Sequence, residues 1–293
     1  VTPRARTLLR LAASAVLLAL VLWQFGAGQV WGDIRAASVL WVALAVGALA
    51  LQIPLSAWRW QVTAHALGVP VGRKTALREY GLSVLVNTFL PGGVLGDLGR
   101  VLRMRGAAAW QAVAASVVIE RLAGQIAMAL AAMAGVALWW GPVAGGLALL
   151  ACLAVVGVAV GMGRLLPRIR SSLRAALFAR AVWPRQLALS AAILACNLFG
   201  FWAAARAVGV ALPPQAALMV LPLTLLVMLV PLSLNGWGLR EGAAAVLWPL
   251  VGTAPELAVA ASVIFGIAVA LAALIGALPV VVFPATSPMQ DAP

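Results

Sequence analysis

The sequence is poor in charge. Only 9% of its 293 residues are Asp, Glu, Lys or Arg, against about 25% in an ordinary soluble domain. No polar block is large enough to fold as a separate soluble domain. Histidine occurs once, as His65, at an expected helix end where a wetted position suits it better than catalysis. The two cysteines, Cys152 and Cys196, fall inside apolar runs. That placement speaks for small packing residues and against a disulfide framework. No cysteine–histidine spacing suits a metal, so neither a metal nor a cofactor is expected.

Apolar residues make up 65% of the chain, and the mean hydropathy is +1.08. Apolar runs long enough to cross a hydrocarbon core of about 30 Å recur along it. The reading is an all-α polytopic membrane protein with about six full spans, at 8–25, 37–62, 112–140, 143–163, 186–208 and 257–281. The first run is longer than a signal-peptide core and lacks a small-x-small cleavage site, so it is read as a retained span. A single transmembrane domain, 1–293, is expected, with a first half 8–163, a basic linker 164–185 and a second half 186–283.

The formal charge of +13 would suggest nucleic acid in a soluble protein. Here the cations collect in alternate loops: Arg4, Arg6 and Arg10; then Arg73, Lys74 and Arg78; then six arginines between Arg164 and Arg185. By the positive-inside rule, those loops and both termini face the cytoplasm. Tryptophans near the span ends, among them Trp23, Trp58, Trp60, Trp110, Trp139 and Trp140, suit an interfacial belt.

Two segments, 79–105 and 216–251, do not read as ordinary spans. The first contains NTFLPGGVLGDLGR, residues 87–100. Basic residues flank it on both sides, and its apolar part, about Gly81 to Leu95, is too short to cross and return as full helices. The expectation is a re-entrant pair of half-helices meeting at Pro91, Gly92 and Gly93. Broken backbone at membrane depth is tolerated only against protein or a wet cavity. Residues 231–241, PLSLNGWGLRE, repeat the pattern: Pro91, Gly96 and Arg100 align with Pro231, Gly236 and Arg240. Each break also carries a carboxylate beside its arginine, Asp97 in one and Glu241 in the other; Asn235 and Gly238 complete the second loop. Paired broken helices of opposite entry are the pattern of an inverted repeat. The alternative is that 216–234 is an ordinary span whose end exposes Arg240 and Glu241.

A third charged site, Glu120-Arg121, lies inside an apolar helix. Each such residue costs about 2.5–3.5 kcal/mol at a helix centre on the insertion scale. Neighbours on a helix diverge by about 100°, so the two are expected to reach different partners. Asp97, Arg100, Glu120, Arg121, Arg240 and Glu241 form the candidate headgroup site, three acids and three bases. The competing reading is a set of ion pairs that hold helices together. GGVLGDLG is not a nucleotide loop, because no strand precedes it. The spacings Gly157-x3-Gly161 and Gly141-x3-Gly145 suit close helix packing.

The series N-x-F-L-P-G-G-x-x-G-D-x-x-R, S-x-x-x-E-R and P-x-x-x-x-G-x-G-x-R-E resembles the membrane domain of the lysylphosphatidylglycerol synthase family, also called the flippase-like domain family, over about 8–283. The resemblance implies an inverted-repeat lipid translocase. The aminoacyl-transferring soluble domain of larger members has no counterpart in these residues, so that activity is not expected of them. By motif, Asp97 and Arg100 match the first acid and base, and Arg240 and Glu241 the last. Ser233-Leu234-Asn235-Gly236 departs from the small residues and paired glycines more usual there.

The leading expectation is a translocase for a phospholipid or a polyprenyl-phosphate-linked lipid, without enzymatic activity. Arg100 and Arg240 would hold phosphate, and Asp97, Glu120 and Glu241 would balance charge. A non-transporting scaffold for a lipid-modifying or glycosyltransferase enzyme is the alternative; an enzyme acting on a lipid phosphate lacks a visible nucleophile. Membrane lipids with anionic or zwitterionic headgroups are the expected partners. A lipid-synthesising enzyme and a second copy of the chain are further candidates, and nucleic acid is not.

Overall fold

A computed structural model describes residues 26–90, 93–104, 110–146, 182–229 and 236–283, with parts of 12–24. The described residues are helical and contain no strand. In chain order they form α1 (Ala27–Arg35), α2 (Val39–Ala66), α3 (Arg73–Phe89), α4 (Leu95–Met104) and α5 (Trp110–Trp140). Then come α6 (Trp183–Ala207), α7 (Pro214–Leu226), α8 (Leu239–Leu247), α9 (Pro255–Gly276) and α10 (Leu278–Val282).

Among the described residues, four stretches are long and apolar enough to cross a membrane: Val39–Ala66, Trp110–Trp140, Trp183–Ala207 and Pro255–Val282. These coincide with four of the six expected spans. Of the span expected at 8–25, residues 12, 15–16 and 18–24 are described and helical; of that expected at 143–163 only 143–146 are described, and the linker 164–185 lies outside the described residues up to residue 181. Pro54 sits inside α2 and Pro222 inside α7 without ending either helix. Neighbouring helices and local adjustment satisfy the backbone groups that proline frees in a membrane helix.

Both anomalous segments are broken. The first gives two short helices, α3 and α4, of 17 and 10 residues. The helix begins at Arg73, eight residues before the expected apolar part, because the basic turn Arg73-Lys74 is itself helical. Gly93 takes a left-handed φ of 62° at the break; Pro91 and Gly92 lie outside the described residues. The second gives α7 and α8, with Gly236 and Gly238 at φ 81° and 85°, while Pro231 and Asn235 again lie outside. A side chain other than glycine is strained at these angles.

The order long helix, short helix, break, short helix, long helix thus occurs twice: α2 to α5, then α6 to α9. The packing exchanges the halves. The first helices, α2 and α6, lie against each other, while α3 rests on α9 and α7 on α5. One core surrounds Phe201, which stacks on Phe265 at 4.4 Å and meets Trp248 at 5.5 Å between ring centroids. A smaller core gathers Trp60, Val69, Val71, Met104 and Val113.

Trp60 departs from the expected interfacial belt. It is wholly buried, and its indole N–H donates to Ser116 Oγ at 3.0 Å. Trp110 and Trp140 stand exposed at the two ends of α5, and Trp58 is exposed within α2, eight residues from its end. Of the two small-residue spacings, Gly157-x3-Gly161 lies outside the described residues. Gly145 packs on Ala137 across the turn at Gly141.

Small residues set the helix approach elsewhere. A Cβ on Gly81 of α3 would overlap the Gly276 carbonyl at the end of α9, and one on Gly135 would overlap the Leu218 backbone of α7. Overpacking a tight contact costs about 1–3 kcal/mol. Gly81→Ala should therefore lower the thermal midpoint in detergent by several degrees. Gly47→Ala, which meets nothing within 4 Å, should not.

Candidate functional site

Glu120 lies ten residues into α5, about 15 Å along the helix. It is 3% exposed. Arg59 of α2 donates from Nη2 to its Oε1 at 2.7 Å and to its backbone carbonyl at 3.2 Å. The Tyr80 hydroxyl of α3 donates to the same Oε1 at 3.2 Å. Arg100 of α4 stands 3.9 Å from Oε2. One carboxylate thus draws groups from α2, α3 and α4 onto α5.

The break is tied into the same cluster. Arg100 donates to Asp97 Oδ1 at 2.9 Å, one helical turn away. Its guanidinium lies between the rings of Trp60 and Tyr80, 4.4 and 4.9 Å from their centroids. That cation–π contact gives the buried charge a second compensation. Asn87 bridges the half-helices: its amide donates to Asp97 Oδ2 at 3.2 Å, and its carbonyl accepts from Gly96 N–H at 2.7 Å. Ser83 Oγ donates to the Gly96 carbonyl at 2.9 Å, and a Cβ on Gly96 would collide with Ser83. Gly96 is therefore required by the closeness of α4 to α3. Arg121 pairs with the other Asp97 oxygen and donates to the Gly93 carbonyl at 3.0 Å. Glu120 and Arg121 do reach different partners, as their divergence on the helix requires.

A polar cavity of about 260 Å³ opens beside this cluster. Arg59, Asp97, Glu120 and Arg121 line it with Asn87, Gln125, Ser190 and Asn197. Arg59 Nε and Asn197 Oδ1 are buried there without a hydrogen-bond partner. Three arginines (59, 100 and 121) face two carboxylates (97 and 120), which leaves a formal charge of +1. An apolar cavity of about 200 Å³ adjoins it and shares Gln52, Ser56, Tyr80, Val84 and Asn197. Its remaining wall includes Leu49, Ile53, Met228, Phe265 and Val269.

The second break is built differently. Arg240 donates to Glu241 Oε1 at 2.6 Å from Nη2 and 3.1 Å from Nε, and to Ser262 Oγ at 2.9 Å. Glu241 Oε2 accepts the Gly238 N–H at 2.7 Å and so caps the start of α8. The guanidinium lies over Trp237 and Phe265, in room that Gly266 leaves; a Cβ there would strike it. Both side chains are almost wholly enclosed, at 1% and 0%. The pair is neutral and stands apart from the polar cavity.

The six expected residues therefore fall into two groups, four at the first break and two at the second. Arg100 and Arg240, expected to hold phosphate, are both enclosed among their partners. Arg59 and Arg121 line the cavity instead. Arg59, Tyr80 and Asn87 were not among the expected residues. Arg59 carried a signal: a cation three residues inside the expected span 37–62. Tyr80 and Asn87 carried none beyond their polarity in the first odd segment.

Long apolar helices around buried, paired charges and a polar cavity at the first break define a polytopic helical membrane protein. The chain belongs to the family described as the lysylphosphatidylglycerol synthase transmembrane region, whose model matches residues 7–277. No curated protein and no solved structure matches it.

Removing one partner of a buried pair costs about 3–5 kcal/mol, because the other is left uncompensated. Arg59→Met should lower the unfolding free energy in detergent by that order. Adding Glu120→Gln should recover part of the loss. Equal stability of Arg59→Met and the wild type would show that the pair does not organise the helices.

Proposed function

We propose that the protein is a lipid translocase of the flippase-like kind, moving a phospholipid or a polyprenyl-phosphate-linked lipid across a bacterial inner membrane. One observation carries this reading: the polar cavity and the apolar cavity adjoin and share Tyr80, Ser56 and Asn197. A lipid needs that juxtaposition, with its headgroup among charges and its chains against aliphatic side chains. The formal charge of +1 beside the polar cavity favours an anionic phosphate. Arg121, with its side chain 42% exposed, and Arg59 supply donors whose planar fork suits phosphate oxygens. Arg100 then acts as a positioning residue that holds Asp97 and Glu120. Arg240 and Glu241 fix the second break.

The twice-repeated helix order and the exchanged packing support an inverted repeat, with both broken segments re-entrant and the termini in the cytoplasm. Rocking of the two halves would open the cavity to each side in turn. The charge would travel with its counter-charges, so the headgroup would never meet hydrocarbon unpaired.

Asp97→Asn and Arg121→Gln should each slow the movement of a fluorescent phospholipid between leaflets of proteoliposomes by ten-fold or more. Val84→Trp, which fills the boundary between the two cavities without changing charge, should do the same. Wild-type rates in all three folded variants would overturn the assignment of this cavity. Unchanged scrambling rates with and without the wild-type protein would favour a scaffold.

A further inference from the structure

A second charged cavity, of about 490 Å³, lies where the end of α2 meets the starts of α3 and α6. Its size falls within the range of about 300–1,000 Å³ usual for small-ligand sites. Trp58 and His65 line it from α2, Arg73 and Lys74 from α3, and Arg185 from α6. It shares no lining residue with the cavities at the first break.

Three cations converge there from two separate helices, and no carboxylate among the described residues lines the site. None of the three forms an ion pair with a described residue. The nearest acid in sequence, Glu79, is bound by Arg78 and Arg103. The site is also firm. Val71 is wholly buried, and its carbonyl accepts from Gln61 Nε2 at 2.7 Å, while His65 Nε2 lies 2.8 Å from the same oxygen. The loop between α2 and α3 is thereby pinned against the end of α2.

Local backbone adds to the positive field. α3 starts from Gly72 with no side-chain cap and no acid in its first turn, so the positive end of its dipole stands beside Arg73 and Lys74. Like charges held together repel one another, and a multivalent anion relieves that repulsion. The exposed indole of Trp58 beside them is the side chain that favours the membrane–water boundary. Basic pockets between transmembrane helices at that depth suit phosphate headgroups.

From this convergence of Arg73, Lys74 and Arg185 around one firm pocket, we infer a peripheral binding site for a phosphate monoester or diphosphate, carried on a lipid headgroup or free in water. Its occupant neutralises the three cations and ties the start of α6 to the start of α3. That tie joins the two halves of the chain at one end. The inference does not depend on lipid movement through the cavity at the first break.

Native mass spectrometry of the full chain in detergent tests it, with phosphatidic acid as probe, phosphatidylcholine as neutral comparison and inorganic pyrophosphate as soluble competitor. The triple variant Arg73→Gln, Lys74→Gln, Arg185→Gln should bind phosphatidic acid at least ten-fold more weakly. Arg121→Gln, in the other cavity, should retain the tightest bound phosphatidic acid. The three substituted side chains are exposed, so the fold should survive, which circular dichroism checks. Displacement by pyrophosphate would assign the site to soluble phosphates; resistance to it would assign the site to a lipid headgroup. Wild-type binding by the triple variant, or equal binding of phosphatidylcholine, would overturn the site.

Discussion

An ionised carboxylate inside an apolar bundle must be compensated wherever the chain carries it, and Glu120 imposes that condition on four helices. Its two oxygens are met by Arg59, Tyr80 and Arg100. Each partner arrives on a different helix, so the positions of α2, α3 and α4 relative to α5 follow from one group. Desolvation makes such a pair a weak source of stability but a strong source of register. Apolar packing can slide between neighbouring arrangements; an uncompensated charge cannot. The aromatic pair Trp60 and Tyr80 around Arg100 extends the same logic, since flat rings compensate a guanidinium without adding a further acid.

The two breaks answer one problem in two ways. At the first, the backbone is closed by side chains: Asn87 takes the Gly96 N–H, Ser83 takes the Gly96 carbonyl and Arg121 takes the Gly93 carbonyl. These groups leave Arg121 open and one positive charge in excess beside the polar cavity. At the second, a single carboxylate caps α8 and holds Arg240, with Ser262 completing the set. Nothing is left over, and the pair is closed. A repeated sequence pattern thus gives one site beside a polar cavity and one whose charges are enclosed by each other. Phe265 connects them, since it lies beneath Arg240 and forms part of the apolar cavity.

Much of this architecture is legible in the chain. Four spans are long apolar runs and need only length to be read. The breaks are visible because glycine and proline interrupt apolar sequence, and Gly93, Gly236 and Gly238 indeed take positive φ. What is not legible is which neighbour a charge will choose. Arg59 lies between two tryptophans, Trp58 and Trp60, and that setting looks like a membrane boundary. The three residues part company only in the folded bundle: Trp58 faces out, while Arg59 and Trp60 turn inward to Glu120 and Ser116. Successive residues on a helix diverge by about 100°, and no composition rule states which of them faces the partner. The charge balance followed the same error. Counted without Arg59 the candidate set is neutral; with it, the first site is cationic.

The sizes of the adjoining cavities constrain how a lipid would use them. The polar one, at about 260 Å³, lies just below the range of about 300–1,000 Å³ for enclosed small-ligand sites. It fits a phosphate with a small substituent. The apolar one, at about 200 Å³, is too small to enclose two acyl chains. On a translocase reading the protein therefore handles the charged end and leaves most of the tail in the bilayer, which is already the right solvent for it. The energetic problem of moving a lipid is then confined to the headgroup, where the cost of an unpaired charge lies. Arg59 and Arg121 line the polar cavity, Arg59 paired with Glu120 and Arg121 with Asp97.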